Sequence, residues 1–456
     1  IFSFTAILLI LVGCAKDRPY KEVFKGTDHY SKKLLSLTET VKTEVNGVVT
    51  DKEVPTKWLY LPSVVDSPRK SSATRPYWMG EQKLVSLRFT ETSLEISELE
   101  IDPRFSDNPR NQAPVVSIPV EHLEYRCQED ASGECTNIEE VNNDVPWNQR
   151  RYFKPSMAKL SVQETNYLPI QLDNLFLTCH SEVGAELGSY SIEGSAINIE
   201  LIKTYKTNLL CADSLDSLSD LTFSVKYHYS LVKLDSIASK DYKAIQYPDA
   251  DEGTYGFFNS EEVKLSIDNR SDEEGKTVLM NRWNPDVSEV TYYLSDNFYK
   301  PELASIKEAT LAAIERVNNG LSAANAGIKI VAKKANNRKS GDLRNNSVVL
   351  VEDPQASGVI GYGPSAVNPL TGEIVHGRVV MYYGTLIKFV RNTYDDLVEQ
   401  RANAAALEAA VDLGGINPNP APAPVPEEPL AAGLARMGVD SSLTKLTHRL
   451  RVSSAV

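Results

Sequence analysis

The fold of this chain is decided by residues 290–385, which open with Val290-Thr291-Tyr292-Tyr293-Leu294. β-Branched and aromatic residues dominate this opening run, so it predicts a strand. Pro301 then stands at the first turn of a predicted helix, a position where a proline costs no hydrogen bond. Apolar side chains recur every three or four residues from there, and Gly320 is expected to end the helix.

Short apolar runs after this helix predict three further strands, at residues 328–331, 348–351 and 377–383. The last is preceded by residues 368–372, Asn-Pro-Leu-Thr-Gly. Proline presets one turn dihedral and glycine accepts a positive one, so this segment is expected to reverse the chain. The order is therefore strand, helix, strand, strand and a paired-strand ribbon.

Four motifs in this region carry a resemblance to a known family. They are Asn281-Arg282-Trp283-Asn284, Thr291-Tyr292-Tyr293-Leu294-Ser295, Gly341-Asp342-Leu343-Arg344, and Tyr362-Gly363-Pro364-Ser365 followed by residues 368–374. Their order and spacing over residues 256–384 resemble bacterial zinc metalloproteases of the metzincin clan, EcxA-type. The resemblance implies the upper, N-terminal half of a metzincin-like α/β catalytic domain with a mixed sheet. It also implies a protein or peptide substrate, which the complete protein would hydrolyse with zinc-activated water.

The resemblance further implies an edge strand that aligns an extended substrate. An unpaired edge offers backbone N–H and C=O groups to a peptide. We assign this role to the strand at residues 377–383, and within it to Val379, Val380, Met381 and Tyr382.

The metal ligands of that family are missing from the sequence. Its next helix carries His-Glu-x-x-His and a third His follows, yet no His-Glu-x-x-His occurs in the 456 residues. A catalytic zinc needs three protein ligands and an open position, so we expect no catalytic residue and no metal site in this chain. Of the six histidines, His228 is expected on the solvated face of a strand, and His376 in a turn without a ligand role.

Two functions therefore stay open. The first is a zinc metalloprotease whose sequence record stops before the zinc-binding helix, so that this chain alone is an inactive fragment. The second is a non-enzymatic outer-membrane lipoprotein that acts as a binding or scaffolding module.

Composition excludes some other classes of function. Hydrophobic content of 42% and charged content of 24% are ordinary for a globular protein. A net charge of −13 argues against a nucleic-acid partner. Gly358, Gly361 and Gly363 are not followed by Lys-Ser/Thr, so no nucleotide site is predicted. The carboxylate pairs 352–353 and 395–396 are expected to be solvated rather than catalytic.

The N-terminus resembles a lipoprotein signal peptide. Residues 1–12 form an apolar run that is too short to span a bilayer well, and Leu11-Val12-Gly13-Cys14 resembles a lipobox. The alternative is a chance cysteine after an apolar segment. Lipidation of Cys14 would anchor the chain without a transmembrane helix, and Ala15 after it favours the outer membrane of the bacterial envelope.

Four further cysteines, Cys127, Cys135, Cys179 and Cys211, are even in number, which in an exported protein favours disulfides over free thiols. Three pairings are possible. We favour Cys127 with Cys135, which closes a small glycine-containing loop, and Cys179 with Cys211. Zinc ligation is the alternative, but no C-x-x-C pair is present.

The predicted organisation is α+β. A tether at residues 15–55 follows the signal segment 1–14, and period-two alternation such as Val85, Leu87 and Phe89 predicts a β-rich accessory domain at residues 56–268. A partial protease-like domain is predicted at 269–390 and a helix at 391–415. Residues 416–456 form a Pro/Ala-rich linker and tail.

Overall fold

The computed structural model describes residues 28–45, 48–67, 76–99, 114–162, 180–208, 221–246, 258–263, 276–354 and 358–412. These residues form a mixed, strand-rich α+β protein with a curled antiparallel sheet, so the predicted fold class is confirmed at that level. Several predicted features lie outside the described residues: the signal segment 1–14 with Cys14, the pair Cys179 and Cys211, and the tail 416–456.

The first part of the chain is almost entirely strand. Its described strands are β1 (Tyr30–Ser31), β2 (Thr38–Val45), β3 (Val48–Pro55), β4 (Trp58–Asp66), β5 (Lys83–Phe89), β6 (Ser93–Glu98), β7 (Val116–Leu123), β8 (Tyr125–Glu129), β9 (Cys135–Val141), β10 (Tyr152–Pro155), β11 (Ser161–Val162), β12 (His180–Ile192), β13 (Ala196–Thr207) and β14 (Thr222–Lys233).

Most of these strands form one antiparallel sheet, the accessory sheet, in the order β1-β10-β7-β6-β5-β4-β14-β13-β12, with β11 also on β7. Hairpins β2–β3 and β8–β9 stand apart from it. The alternation that predicted the sheet is real, because Val85, Ile197, Ile199 and Leu231 are fully buried in one core.

The accessory unit begins earlier than predicted. Residues 30–55, expected to be part of a tether, form β1, a short 3₁₀ turn at Lys32–Leu35 and the hairpin β2–β3. Leu35 is fully buried in the core of the accessory sheet. These strands were not predicted because the segment is polar in composition. A two-stranded hairpin buries little apolar surface, so it shows no clear alternation of apolar residues.

The second part of the chain contains strands and the two long helices. Its elements are β15 (Asn259–Val263), β16 (Lys276–Met280), β17 (Glu289–Leu294), β18 (Lys329–Lys334), β19 (Ser347–Leu350), β20 (Gly361–Tyr362), β21 (Ser365–Val367) and β22 (Ile374–Met381); a one-turn helix α1 (Leu234–Ile237) precedes them, and the long helices are α2 (Ala304–Ala323) and α3 (Tyr383–Asp412).

Six of these strands form the mixed sheet, in the order β18-β17-β19-β22-β20, with β21 also on β22. Strands β17, β18, β19 and β22 are parallel, whereas β20 and β21 run antiparallel to β22. Helix α2 supplies the crossover that a parallel β17–β18 pair requires. Leu294, Phe298 and Leu350 form the core between sheet and helix.

Several predicted boundaries in this region move. Strand β22 begins at Ile374 and ends at Met381, whereas residues 377–383 were predicted. The last helix begins at Tyr383 and not at residue 391. Gly320 lies inside α2, which continues to Ala323. The turn at residues 368–372 is confirmed, since the amides of Thr371 and Gly372 both donate to the Asn368 carbonyl.

The two sheets pack directly against each other. Leu59, Leu61 and Val232 of the accessory sheet share a buried cluster with Leu343 and Ala366 of the mixed-sheet region. The second face of β14 is therefore covered over its later half, where both its faces are buried. The accessory sheet was expected to have one solvated face, but at this contact that face is buried as well.

The structure joins Cys127 to Cys135 in a disulfide that links the exposed hairpin β8–β9, with 5.5 Å between the Cα atoms. This is the pairing favoured from the short glycine-containing loop. Within the described ranges, none of the helices combines the length and the apolar character that crossing a membrane requires.

Candidate functional site

Strand β22 is not an edge, which corrects the assignment of Val379, Val380, Met381 and Tyr382 as the substrate-aligning strand. One side of β22 pairs with β19 through Val348↔Val379 to Leu350↔Met381. Its other side pairs with β20 through Gly361↔Met381 and Tyr362↔Val380. The prediction was wrong because the two-residue strand β20 has too little periodicity to be recognised.

The edge on this side of the mixed sheet is the segment 361–367, which contains β20 and β21. No described strand pairs with its outer side. The amide of Tyr382 donates to the Ile360 carbonyl and that of Arg378 to the Pro364 carbonyl, so the even-numbered residues face β22. Backbone groups alternate in direction along an antiparallel strand. The N–H and C=O groups of residues 361, 363, 365 and 367 therefore point outward, and we call them the outward row.

Small residues make the outward row accessible. A Cβ added at Gly363 would meet no heavy atom within 4 Å, and one at Gly361 would touch only the Val380 carbonyl at 3.7 Å. Neither glycine has a positive φ, so both lie in conformations open to other residues. Ile360, at the start of the segment, is 53% exposed. Another backbone could approach closely at Gly361 and Gly363, because neither carries a Cβ and a Cβ added at either would meet no described side chain within 4 Å.

The opposite edge of the mixed sheet is protected. It is formed by β18, which carries the exposed lysines Lys329, Lys333 and Lys334. Charged side chains, lysine above all, are a common device against edge-to-edge pairing. The two edges of one sheet therefore differ: one is charged, and the other is glycine-rich and uncharged.

One end of the outward row is already occupied. The amide of Val367 donates to Gln82 Oε1 at 2.8 Å, and Gln82 Nε2 donates to the Val367 carbonyl at 3.0 Å. Gln82 comes from the accessory unit, just before β5. Among the described residues, the backbone groups of Gly361 and Gly363 have no comparable partner on their outer side.

Arg378 in β22 fastens the accessory unit beneath this edge. Its side chain is 1% exposed and donates to Ser63 Oγ, to the Tyr77 carbonyl at 3.1 Å and to the Ser340 carbonyl at 2.7 Å. Burial lowers the pKa of the Arg378 guanidinium to about 10. Ser63 and Tyr77 belong to the accessory unit, so one buried cation joins both parts of the chain.

A second polar cluster at this interface contains His228, which was expected on a solvated face and is in fact 1% exposed. Its Nε2 lies 3.0 Å from Asn198 Oδ1 and its Nδ1 lies 3.4 Å from Glu200 Oε1. The hydrogen bond to His228 holds the pKa of the Glu200 carboxyl well below its usual range, and Lys339 at 3.1 Å adds to this. The prediction failed because Gly341 packs on the imidazole ring, where an added Cβ would lie 2.5 Å from Cγ.

Two polar clefts border this cluster. One of about 410 Å³ is lined by residues such as Tyr293, Ser347 and Arg338, and one of about 530 Å³ by residues such as Tyr190, Asp342 and Arg344. Arg344 is paired with Asp342 at 2.7 Å. In the second cleft the Ser189 hydroxyl donates to Glu200 Oε2 at 2.6 Å. Because the hydrogen bonds from His228 and Ser189 hold the pKa of the Glu200 carboxyl well below its usual range, this carboxylate is a weak base for the hydroxyl, and we interpret the contact as structural.

The carboxylate pairs agree with expectation in part. Asp395 and Asp396 are exposed on α3. Glu352 is half-buried and accepts hydrogen bonds from Lys300 at 2.7 Å and from Asn297 at 3.2 Å. These contacts are structural, and none of them places a second carboxylate at a distance suited to acid–base catalysis.

A zinc ion does not fit the described residues. In the part of the chain that the structure describes, no three histidine, cysteine, aspartate or glutamate side chains converge on a point. His376, expected in a turn, lies within β22 and is fully buried. The backbone of Leu343 is near enough to His376 to raise its pKa slightly, but no hydrogen bond of normal geometry joins them.

His376 makes the stability of the fold depend on pH. Burial lowers its pKa to about 3 from an ordinary 6.5, and the charge of Arg378 acts in the same direction. Between these values the unfolded chain binds a proton that the folded chain does not, so stability falls as the pH decreases from 6.5.

We expect wild type to lose about 2.3 kcal/mol more stability between pH 6.5 and 4.5 than His376→Leu, which cannot titrate there. Urea unfolding at the two pH values measures this difference, and other titrating groups cancel between the two proteins. Equal losses in both proteins would show that His376 takes up a proton as readily in the folded protein as in the unfolded chain.

Four residues of this site were missed or misread in the sequence. Gly361 and Gly363 were weighed as part of a phosphate loop, Gly363 also belonged to a motif of the resemblance, and Gln82 carried no signal at all. Arg378 offered a signal, since a single cation inside the apolar run Val-His-Gly-Arg-Val-Val needs buried acceptors. A long-range partner of this kind cannot be identified from one sequence.

Comparison with protein-family models, with curated proteins and with solved structures finds no match to this chain.

Proposed function

We propose that this chain binds extended polypeptides by strand addition at the outward row, as the substrate-aligning part of a metzincin-type zinc metalloprotease anchored in the bacterial envelope. The observation that carries the proposal is that no described residue pairs with the outward backbone groups of residues 361, 363 and 365. In strand addition, main-chain hydrogen bonds supply the affinity, and alternate side chains supply the specificity.

The electrostatics of the site support an uncharged backbone as the ligand. The outward row carries no charged side chain, whereas the opposite edge carries three lysines. Trp78 stacks on Tyr362 with 4.1 Å between ring centroids, which fixes the Tyr362 side chain of β20. Such an edge is poised to accept a strand at small reorganisation cost.

Zinc catalysis is implied only by the family resemblance, and none of the described residues supports it. A bound zinc would activate water for peptide hydrolysis in a family member, but among the described residues no group of three possible ligands comes together. The proposal for this chain is therefore limited to alignment of the peptide. Membrane attachment through Cys14 remains part of the proposal, since the apolar run and lipobox pattern support it.

The alternative is a non-enzymatic envelope lipoprotein that binds or scaffolds partners. The packing between the two sheets favours this alternative, because Leu343 and Ala366 of the mixed-sheet region are buried in the apolar cluster of the accessory sheet. The mixed sheet can therefore be stable without further protease elements on that side.

Casein digestion and metal analysis after dialysis test whether this chain is itself an enzyme. We expect the purified chain to cleave no casein and to retain no stoichiometric zinc, because three ligands must converge to hold the metal. Chelator-sensitive cleavage with one bound zinc per chain would instead show a site built from scattered residues.

Peptide binding tests the proposal itself. The probe is a fluorescein-labelled five-residue peptide of alternating threonine and valine, and the measurement is fluorescence anisotropy. Gly363→Pro removes one outward N–H and sets a ring in front of the edge, so we expect affinity to fall about tenfold or more. Gly363→Ala keeps the N–H and has space for its methyl group, so it is the matched control.

Affinity of Gly363→Ala should remain within about threefold of wild type, which corresponds to less than 1 kcal/mol. Equal binding by the proline and alanine variants would contradict strand addition at this edge. Circular dichroism of both variants shows whether the fold is retained.

A further inference from the structure

The accessory unit reaches across the edge of the mixed sheet through residues 76–82, which we call the edge segment. Tyr382 Oη donates to the Pro76 carbonyl at 2.8 Å, and Arg378 donates to the Tyr77 carbonyl. Trp78 lies on the ring of Tyr362 with 8° between the ring planes. The edge segment is thus fastened to the sheet at three points before it reaches Gln82.

Gln82 ends the edge segment by imitating a peptide group. A glutamine side-chain amide has one carbonyl acceptor and an NH₂ donor, the same two functions that a backbone peptide presents. Gln82 uses both on Val367, at 2.8 and 3.0 Å, as a neighbouring strand would. Val367 is the last member of the outward row, so the row is closed at that end, whereas no described residue pairs with the outward groups of residues 361, 363 and 365.

We propose that Gln82 is a specificity-determining residue that caps the binding edge and limits the length of peptide that can pair with it. The proposal rests on the proposed function. A peptide can form main-chain hydrogen bonds with residues 361, 363 and 365, a span of five residues. Beyond Ser365 it meets the Gln82 amide, so additional residues gain nothing.

The cap can be removed without releasing the edge segment. The contacts of Pro76, Tyr77 and Trp78 do not involve Gln82. Gln82 itself is half-buried, so truncation leaves its site open to water. In Gln82→Ala the N–H and C=O groups of Val367 therefore become available, and the span of pairing grows to seven residues.

A comparison of five- and seven-residue threonine–valine peptides tests the length limit in the full chain. With wild type, the two peptides should bind with affinities within about twofold. With Gln82→Ala, the longer peptide should bind about tenfold more tightly than the shorter one, since it gains two hydrogen bonds to Val367.

Amide hydrogen exchange at Val367 gives a readout that needs no peptide. The Val367 N–H should exchange on the order of tenfold faster in Gln82→Ala than in wild type, whereas that of Gly361 should not change. Gln82→Glu keeps the acceptor for this N–H, so the slow exchange should return in that variant.

The same length dependence in wild type and Gln82→Ala would overturn the length limit while leaving the proposed function in place. Unchanged exchange at Val367 would overturn the cap as well. Failure of both peptides to bind either protein would instead overturn the proposed function, and with it the limit.

Discussion

Arg378→Ala is expected to destabilise the protein by about 3–5 kcal/mol, the largest single effect predicted here. Truncation leaves the Tyr77 and Ser340 carbonyls buried without a donor, at about 1–3 kcal/mol for each unsatisfied group, and leaves a cavity. Relief of the buried charge offsets part of this loss, since burial already disfavours the charged form. Urea unfolding followed by tryptophan fluorescence measures the change.

An exposed arginine provides the control for this variant. The side chain of Arg88 is 71% exposed and pairs with Glu95 on the accessory sheet. Arg88→Ala should change stability by less than about 1 kcal/mol, because surface ion pairs contribute little. A similarly small effect of Arg378→Ala would mean that Arg378 does not fasten the two sheets.

Gly384→Ala is expected to cost about 3 kcal/mol or more through overpacking. Gly384 lies in the first turn of α3, where an added Cβ would be 2.1 Å from the Glu352 carbonyl oxygen and 2.4 Å from the Pro354 nitrogen. Both are backbone atoms, so neither can move aside as a flexible side chain could. The helix would have to shift off the segment after β19.

Gly320→Ala is the matched control, because Gly320 also lies in a helix but its added Cβ would meet no atom within 4 Å. Alanine there should stabilise the protein by about 0.5–1 kcal/mol, through helix propensity alone. Thermal and urea unfolding of the two variants should therefore shift in opposite directions. Shifts of the same sign would contradict the close packing of Gly384.

Much of the mixed sheet could be predicted from residues 290–385, because its information is local. β-Branched runs marked β17, β18 and β19, helical spacing marked α2, and Asn368 with Gly372 marked the reversal before β22. The α+β class followed from the same patterns together with the alternation in β5, β13 and β14. Each of these signals is read within a window of some twenty residues.

The edge of the mixed sheet could not be predicted, because strand order is a property of pairing between distant segments. Val379 to Tyr382 looked like an edge strand only as long as Gly361 and Tyr362 looked like loop. Strand β20 has only two residues, one of them Gly361, so it shows no periodicity that could have identified it. The candidate site is therefore the segment 361–367, which pairs with β22, and not β22 itself.

The burial of His228 shows a second limit. Period-two alternation divides β14 into two faces but does not say which of them is covered. Tyr227 and Tyr229, on the face opposite His228, are fully buried. His228 and Ser230 are buried as well, because a loop more than a hundred residues later in the chain covers their face. Gly341 allows this loop to approach His228 closely, and the residues next to His228 in the sequence contain no signal that predicts the contact.

The central claim, that an extended peptide adds to the outward row, is tested most directly by residue-resolved amide hydrogen exchange with and without saturating five-residue threonine–valine peptide. We predict that the amides of Gly361, Gly363 and Ser365 exchange at least about tenfold more slowly when the peptide is bound, while those at the lysine-bearing edge of β18 do not change. Protection at β18, along α3 or nowhere in the mixed sheet would contradict the claim.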